Sequence, residues 1–317
     1  MDIKYHYEPL PPEASFRVLE LLPGDEHDDI SYILHFADWN DPPSYEALSY
    51  AWGDTGVKVP TFCGGKRLEV MPNLSDGLRT LRLKTRSRMI WADAVCINQQ
   101  DMIERSEQVN KMLRIYRGAT RVLVWLGPDE NGYTAMAVHA MEEITRAWAK
   151  QEGKSLAITK RAPAWTELAC NSASTWYSIK WFFSRPWFSR LWVLQEVNSG
   201  PEVLVICAEF EIHWQAVKSI AEYIESSDIY EVYGFWESEL WSALTIMGDH
   251  TRRKTDDIGR LDVLHSLRRF HTTDPRDKIY AVLGIEAFQI EEKDVYPVSE
   301  KPWISADYTK STVEVQY

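Results

Sequence analysis

The chain has 317 residues and a formal net charge of −12, a balance that excludes a nucleic-acid surface built on clustered Lys and Arg. The opening MDIKYHYEPLPPE carries neither the basic segment nor the apolar run of a secretory leader, and no stretch nears the roughly 18 apolar residues of a membrane span, so a cytoplasmic protein without a membrane partner is expected. Cys63, Cys96, Cys170 and Cys207 form no CxxC pair for zinc or redox chemistry, which points to reduced thiols.

Residues 16–22 and 30–36 are short apolar runs read as strands, separated by the acidic loop GDEHDD. Residues 45–50 (YEALSY) form a third, opening into the turn AWGD with Gly53. Gly64-Gly65 sits between two further short runs and predicts a hairpin. Asn73 is placed to cap a helix carrying Leu74, Leu78 and Leu81, and residues 89–92 read as a strand. Asp101 opens another helix, with Val109, Met112, Leu113 and Tyr116 on one face; the apolar run 120–126 then ends at Gly127-Pro128.

Residues 131–180 read as a helical insertion with a polar loop at 150–154. Pro186 stands in the first turn of a helix expected to run to Asn198-Ser199-Gly200, and 203–207 is one more strand. Beyond it, 213–270 reads mainly as helices, 286–303 is acidic and contains proline, and STVEVQY begins a helix. Apolar runs alternating with amphipathic helices predict an α/β fold with a mainly parallel sheet and helices on both faces. The expected organisation is an N-terminal β extension (1–44), a core (45–215) with the insertion at about 131–180, and a mainly helical C-terminal extension (216–317).

No GxGxxG, GxxxxGK[ST], HExxH or GxSxG occurs, and the eight His suggest no metal cluster. Five segments do carry a pattern: YEALSYAWGD (45–54), MIWADAVCINQQDMIERSEQVNKMLRIYRGATRVLVWLG (89–127), RPWFSRLWVLQEV (185–197), RRKTDDIGRLDVL (252–264) and DPRDKIYAVLGI (274–285). Together, and in this order, they resemble the fungal HET (heterokaryon incompatibility) family, which is associated with self/non-self recognition and regulated cell death. That family is remotely similar to TIR domains, so the resemblance implies a TIR-like, flavodoxin-like core. It also implies a Trp followed by a functional Glu four residues later, a spacing held here by Trp192 and Glu196. In enzymatic TIR domains that Glu sits at the ribose of NAD⁺.

Each candidate has a plainer reading beside the functional one. Glu196 is expected in the last turn of its helix, where the macrodipole is unfavourable by ~0.3–1 kcal/mol, among apolar Val193, Leu194 and Val197. Such a carboxylate needs a task or an ion pair with an Arg such as Arg121 or Arg185. Asp101 and Glu104 fit a reciprocal capping pair, a role that Gln would also fill. Asp93 ends a strand, facing either a ligand or its own loop's amides, while Asn98 and Gln99 read as turn formers. Ser49, Tyr50, Trp52, Gly53 and Asp54 lie at the C-terminal end of the first core strand, where a doubly wound sheet meets ligand. Gly53 admits close backbone approach and Trp52 offers a stacking face, or simply closes the core. Arg185 and Arg190 suit a pyrophosphate clamp but are read first as salt bridges.

Two functions of different class follow from the resemblance. One is an NAD⁺ glycohydrolase without a bound cofactor, NAD⁺ being the substrate and Glu196 stabilising an oxocarbenium-like ribose. The other is a non-enzymatic death-signalling module that works by self-association. Either answers to an upstream activating protein that the sequence does not identify.

Overall fold

The computed structural model describes residues 3–11, 16–53, 56–152, 172–198, 200–247, 267–283 and 305–315. The segment RRKTDDIGRLDVL, the stretch 286–303 and Asp54 lie outside the described residues. The chain divides into two compact units, one of Met1–Leu123, Leu194–Glu202 and Thr272–Tyr317, the other of Val124–Val193 and Val203–His271. Among the described residues no helix is long and apolar enough to cross a membrane.

The first unit holds β1 (Phe16–Leu21), β2 (Ser31–Ala37), β3 (Glu46–Tyr50), β4 (Val59–Cys63), β5 (Lys66–Val70), β6 (Arg88–Trp91) and the start of β7 (Arg121–Trp125). Their order across the sheet is β5-β4-β2-β1-β6-β3-β7. β3 runs parallel to β6, with Glu46 opposite Ile90 and Ala47 opposite Trp91. The N-terminal strands change the character of the sheet: β1 pairs antiparallel with both β2 and β6. The sheet is therefore mixed rather than mainly parallel. The β1–β2 hairpin brings an antiparallel partner to the edge of β6, β2 in turn pairs parallel with β4, and the β3-to-β6 crossover gives a parallel pair.

Ala47, Leu48, Ser49 and Tyr50 are all buried, as a strand flanked by β6 and β7 requires. The β4–β5 hairpin turns on Gly64 and Gly65, whose φ angles of 55° and 76° suit the two-residue turn that only glycine enters without strain. α1 (Pro72–Leu81) starts two residues earlier than a cap at Asn73 would place it, with Pro72 at its first turn and Met71 as an N-cap that makes no side-chain bond. α2 (Asp93–Cys96) is a single turn after β6.

α3 (Met102–Gly118) is capped by Asp101, whose side chain accepts from the amides of Ile103 and Glu104. The return half of the expected capping pair takes another form. Glu104 accepts from the Asn98 amide at 2.7 Å and pairs with the buried guanidinium of Arg17, Nη1 to Oε1 at 2.6 Å and Nη2 to Oε2 at 3.1 Å. A buried guanidinium outcompetes the cap's own amide for that carboxylate. Two other arginines, Arg79 and Arg82, hold the acidic β1–β2 loop by its backbone carbonyls, among them those of Asp28 and Asp29. The unit also contains α10 (Asp277–Tyr280) and α11 (Thr312–Val315).

The second unit takes the end of β7 with β8 (Glu202–Cys207) and β9 (Phe210–His213), in the order β7-β8-β9. α4 (Thr134–Glu152), α5 (Ala173–Phe183), α7 (Trp214–Glu225), α8 (Ile229–Val232) and α9 (Leu240–Met247) complete it. α4 runs through most of the loop expected at 150–154. Its aromatic core joins Phe182, Phe183, Phe188, Trp187 and Trp214, with ring centroids 5.2–5.9 Å apart.

Candidate functional site

The helix expected from Pro186 to Asn198 is broken. Pro186–Ser189 is a 3₁₀ turn, and Arg190 then forms an isolated bridge to His271. α6 (Val193–Val197) is a new helix of 5 residues. The bridge draws the backbone out of helical geometry, a tertiary interaction that local pattern cannot announce. Glu196 thus belongs to a helix too short for a macrodipole to set its energy. Trp192, half-buried, lies in the turn ahead of α6, outside the helix that carries Glu196.

Glu196 is 1 % exposed and sits against the end of β3, where Ser49, equally buried, donates its hydroxyl to Oε2 of the carboxylate. The next residue along β3 serves the other carboxylate. Tyr50 donates its hydroxyl to Oδ1 of Asp93 at 2.9 Å, and Trp52 donates its indole N–H to Oδ2 at 2.9 Å. Asp93 also accepts from the Ala94 amide at 2.8 Å, and its carbonyl takes the side-chain amide of Gln99 at 2.8 Å. Asp93 therefore ties three donors from two strand ends together, which combines the loop-amide reading with the contact to the β3 turn. Ser49 and Tyr50 are neighbours in the strand and leave it on opposite faces. What links the two carboxylates is thus the end of β3 itself.

The turn that follows is built for close approach. Gly53 is exposed, with φ +77°, a conformation that a side chain would strain. Asn73 donates its amide to the Ala51 carbonyl at 2.5 Å, so the residue expected as a helix cap instead pins the β3 exit. Tyr116 of α3 donates to the Leu48 carbonyl at 3.1 Å. Arg185 spends its guanidinium on the carbonyls of Leu126 (3.0 Å) and Pro128 (3.4 Å) and packs over Trp181, a structural role.

Gln195 is the residue that sequence reasoning passed over. It is 5 % exposed, and its side-chain N–H₂ donates to the carbonyls of Tyr280 at 3.2 Å and Ala281 at 2.8 Å. A signal was present: a polar amide between Leu194 and Glu196, in an otherwise apolar run, must find partners once buried. Ser49, Glu196, Gln195, Asp93 and Asn73 all belong to the first unit, so the candidate site is internal to it.

Residues 45–196 match the family model described as "Heterokaryon incompatibility protein (HET)". A protein of Neurospora crassa described as "Heterokaryon incompatibility protein 6, OR allele" is 27% identical over 357 residues, covering 96% of this chain and 51% of the relative. The chain thus spans about half the length of the curated relative it matches. No solved structure matches it. The family match opens at Tyr45 and closes on Glu196, so both partners of the Ser49–Glu196 hydrogen bond lie inside it.

Proposed function

We propose, from the premise that this chain belongs to the fungal HET family, that it is an incompatibility effector domain that triggers cell death by hydrolysing NAD⁺ at the end of β3. The observation that carries the reading is Glu196, a glutamate buried beside a serine hydroxyl at the C-terminal end of a buried strand, where α/β sheets meet their ligands. The Ser49 hydroxyl occupies the place that a ribose hydroxyl takes in the proposed complex. One neutral O–H replaces another at Oε2.

In the proposed step the N-glycosidic bond breaks and its electron pair passes to the pyridinium nitrogen, which leaves as neutral nicotinamide. A water oxygen bonds to C1 of the ribose and releases a proton, giving ADP-ribose. Glu196 supplies negative charge to the oxocarbenium-like sugar in between. Trp52, half-buried and held by Asp93, offers a ring face, and exposed Gly53 leaves the turn open to a ligand's approach. A carboxylate 1 % exposed cannot touch a substrate as it stands, so the reading includes opening of the site on activation. That opening ties catalysis to an upstream signal or to self-association.

The same burial favours a second reading, in which Glu196 is structural and the domain signals by assembly alone. The test is release of free nicotinamide from NAD⁺ by the purified chain, alone and concentrated, beside Glu196→Gln. Gln keeps the shape but lacks the charge, so the rate is expected to fall by about 10² to 10³ with the melting temperature retained. Full activity in a folded Glu196→Gln protein removes Glu196 from the mechanism. No release from the unmutated chain under any of these conditions favours the assembly reading.

A further inference from the structure

Residues 305–311 lie far along the chain from α3 yet are bound to it as a peptide is bound in a groove. Asn110 reads the backbone of Ala306 in both directions, accepting its N–H at 2.7 Å and donating to its carbonyl at 2.8 Å. The Ser106 hydroxyl accepts the Tyr308 amide at 2.8 Å. On the other side, Arg276 donates to the carbonyls of Tyr308 (3.0 Å) and Lys310 (2.5 Å), and the Tyr280 hydroxyl donates to that of Asp307 (2.9 Å).

The Tyr308 side chain fills a pocket of its own and is 5 % exposed. Its hydroxyl donates to Asp277 at 2.7 Å, Arg105 stacks over its ring at 3.8 Å, and Tyr280 meets it edge-on at 5.3 Å. Burial, then the charge of Asp277, pushes the Tyr308 hydroxyl above the usual phenol range, so it remains a donor. Arg276 is itself fixed by Asp274, whose carboxyl the guanidinium's hydrogen bonds hold below its ordinary value.

The element so gripped is α10, and Tyr280 and Ala281 at its end offer the two carbonyls that Gln195 takes. Gln195 is adjacent to Glu196 in the short α6. We infer that residues 305–311 form an internal latch: Tyr308 fixes α10, α10 fixes α6 through Gln195, and release of the segment frees the Glu196 site. The functional consequence rests on Glu196 being the working carboxylate; the mechanical coupling does not. The latch is suited to reversal, since its grip is largely hydrogen bonds to backbone groups beside exposed Thr309, Lys310 and Ser311.

Hydrogen exchange of the full chain, read by mass spectrometry without NAD⁺, tests the coupling. Asn110→Ala removes both bonds to Ala306, and Tyr308→Phe removes only the bond to Asp277. Each is expected to speed exchange by about tenfold or less in residues 277–283 and also in 193–197, in step with the loss of one or two hydrogen bonds. Gln195→Leu is expected to loosen 193–197 while 305–311 stays protected, which fixes the direction of the coupling. Faster exchange at 305–311 with 193–197 unchanged overturns the latch. So does a rise spread equally over the β4–β5 hairpin in both latch variants, because the segment would then be part of the general core. Failure of NAD⁺ hydrolysis leaves either result standing.

Discussion

Two buried glutamates of the first unit are handled in opposite ways. Glu104, 9 % exposed, has both oxygens on one guanidinium and a backbone amide on Oε1 as well. That guanidinium, Arg17, also donates to the carbonyls of Cys96 at 3.2 Å and Glu8 at 2.7 Å. The arrangement locks the N-terminal strands to the start of α3, and any exchange of partner would strand a charge in the interior. Glu196 meets a serine hydroxyl at a strand end, on a single turn of helix held by the amide of Gln195. A neutral donor is replaceable and a short helix is movable. The contrast separates a carboxylate bound by a buried guanidinium from one whose Oε2 takes a serine hydroxyl on a short helix, although both are deep.

Breaking the first site should cost most. Glu104→Gln keeps volume but leaves Arg17 unpaired, and removing one partner of a buried pair typically costs about 3–5 kcal/mol. Urea unfolding should show that loss beside a far smaller one in Glu196→Gln. Equal losses would erase the distinction between the two glutamates.

Asp93 lies between them in kind, since it binds neutral donors in a half-buried place. Asp93→Ala removes the carboxylate that accepts from the Tyr50 hydroxyl and the Trp52 indole, a loss of about 2 kcal/mol. Its tryptophan emission should shift as Trp52 detaches; unchanged emission would show that the Asp93 contact does not position the ring.

The smallest effect concerns Glu46, which Arg88 and Arg121 share at the opposite end of β3. Burial draws its carboxyl upward, but the hydrogen bonds and charges of Arg88 and Arg121 outweigh that and hold it below the ordinary range. A depressed folded value adds stability above the unfolded Glu value of about 4.3, and that increment is lost as pH falls through the folded value. Glu46→Gln should therefore flatten the acid limb of stability below about pH 4. An unaltered acid limb would mean that the two arginines contribute nothing through this charge.

The strands with strong apolar runs were legible in the sequence, β1, β3, β6 and β7 among them, as was the Gly64-Gly65 hairpin, because burial and turn chemistry are local properties. β9 was not: FEIH is short and only its Ile212 is fully buried, so a strand formed by pairing with β8 leaves little trace in periodicity. The break at Arg190 depends on His271, and the fate of Glu104 on a residue 87 positions away. The contacts between the β3 end and Glu196 or Asp93 followed from placing candidates at strand ends. Gln195 escaped because its acceptors are backbone carbonyls 85 and 86 positions distant, which no side-chain pattern encodes.

The first unit is assembled from three separated stretches of chain, and translation delivers them in order. Arg17 and Glu104 are both made early, so the interior pair can close while the ribosome is still working. Gln195 emerges 85 residues before the Tyr280 carbonyl it needs. At roughly 5–20 residues per second that gap lasts on the order of ten seconds, during which α6 lacks the two carbonyls that Gln195 takes. A nascent chain therefore acquires the Arg17–Glu104 pair first and the Gln195 tether beside Glu196 last.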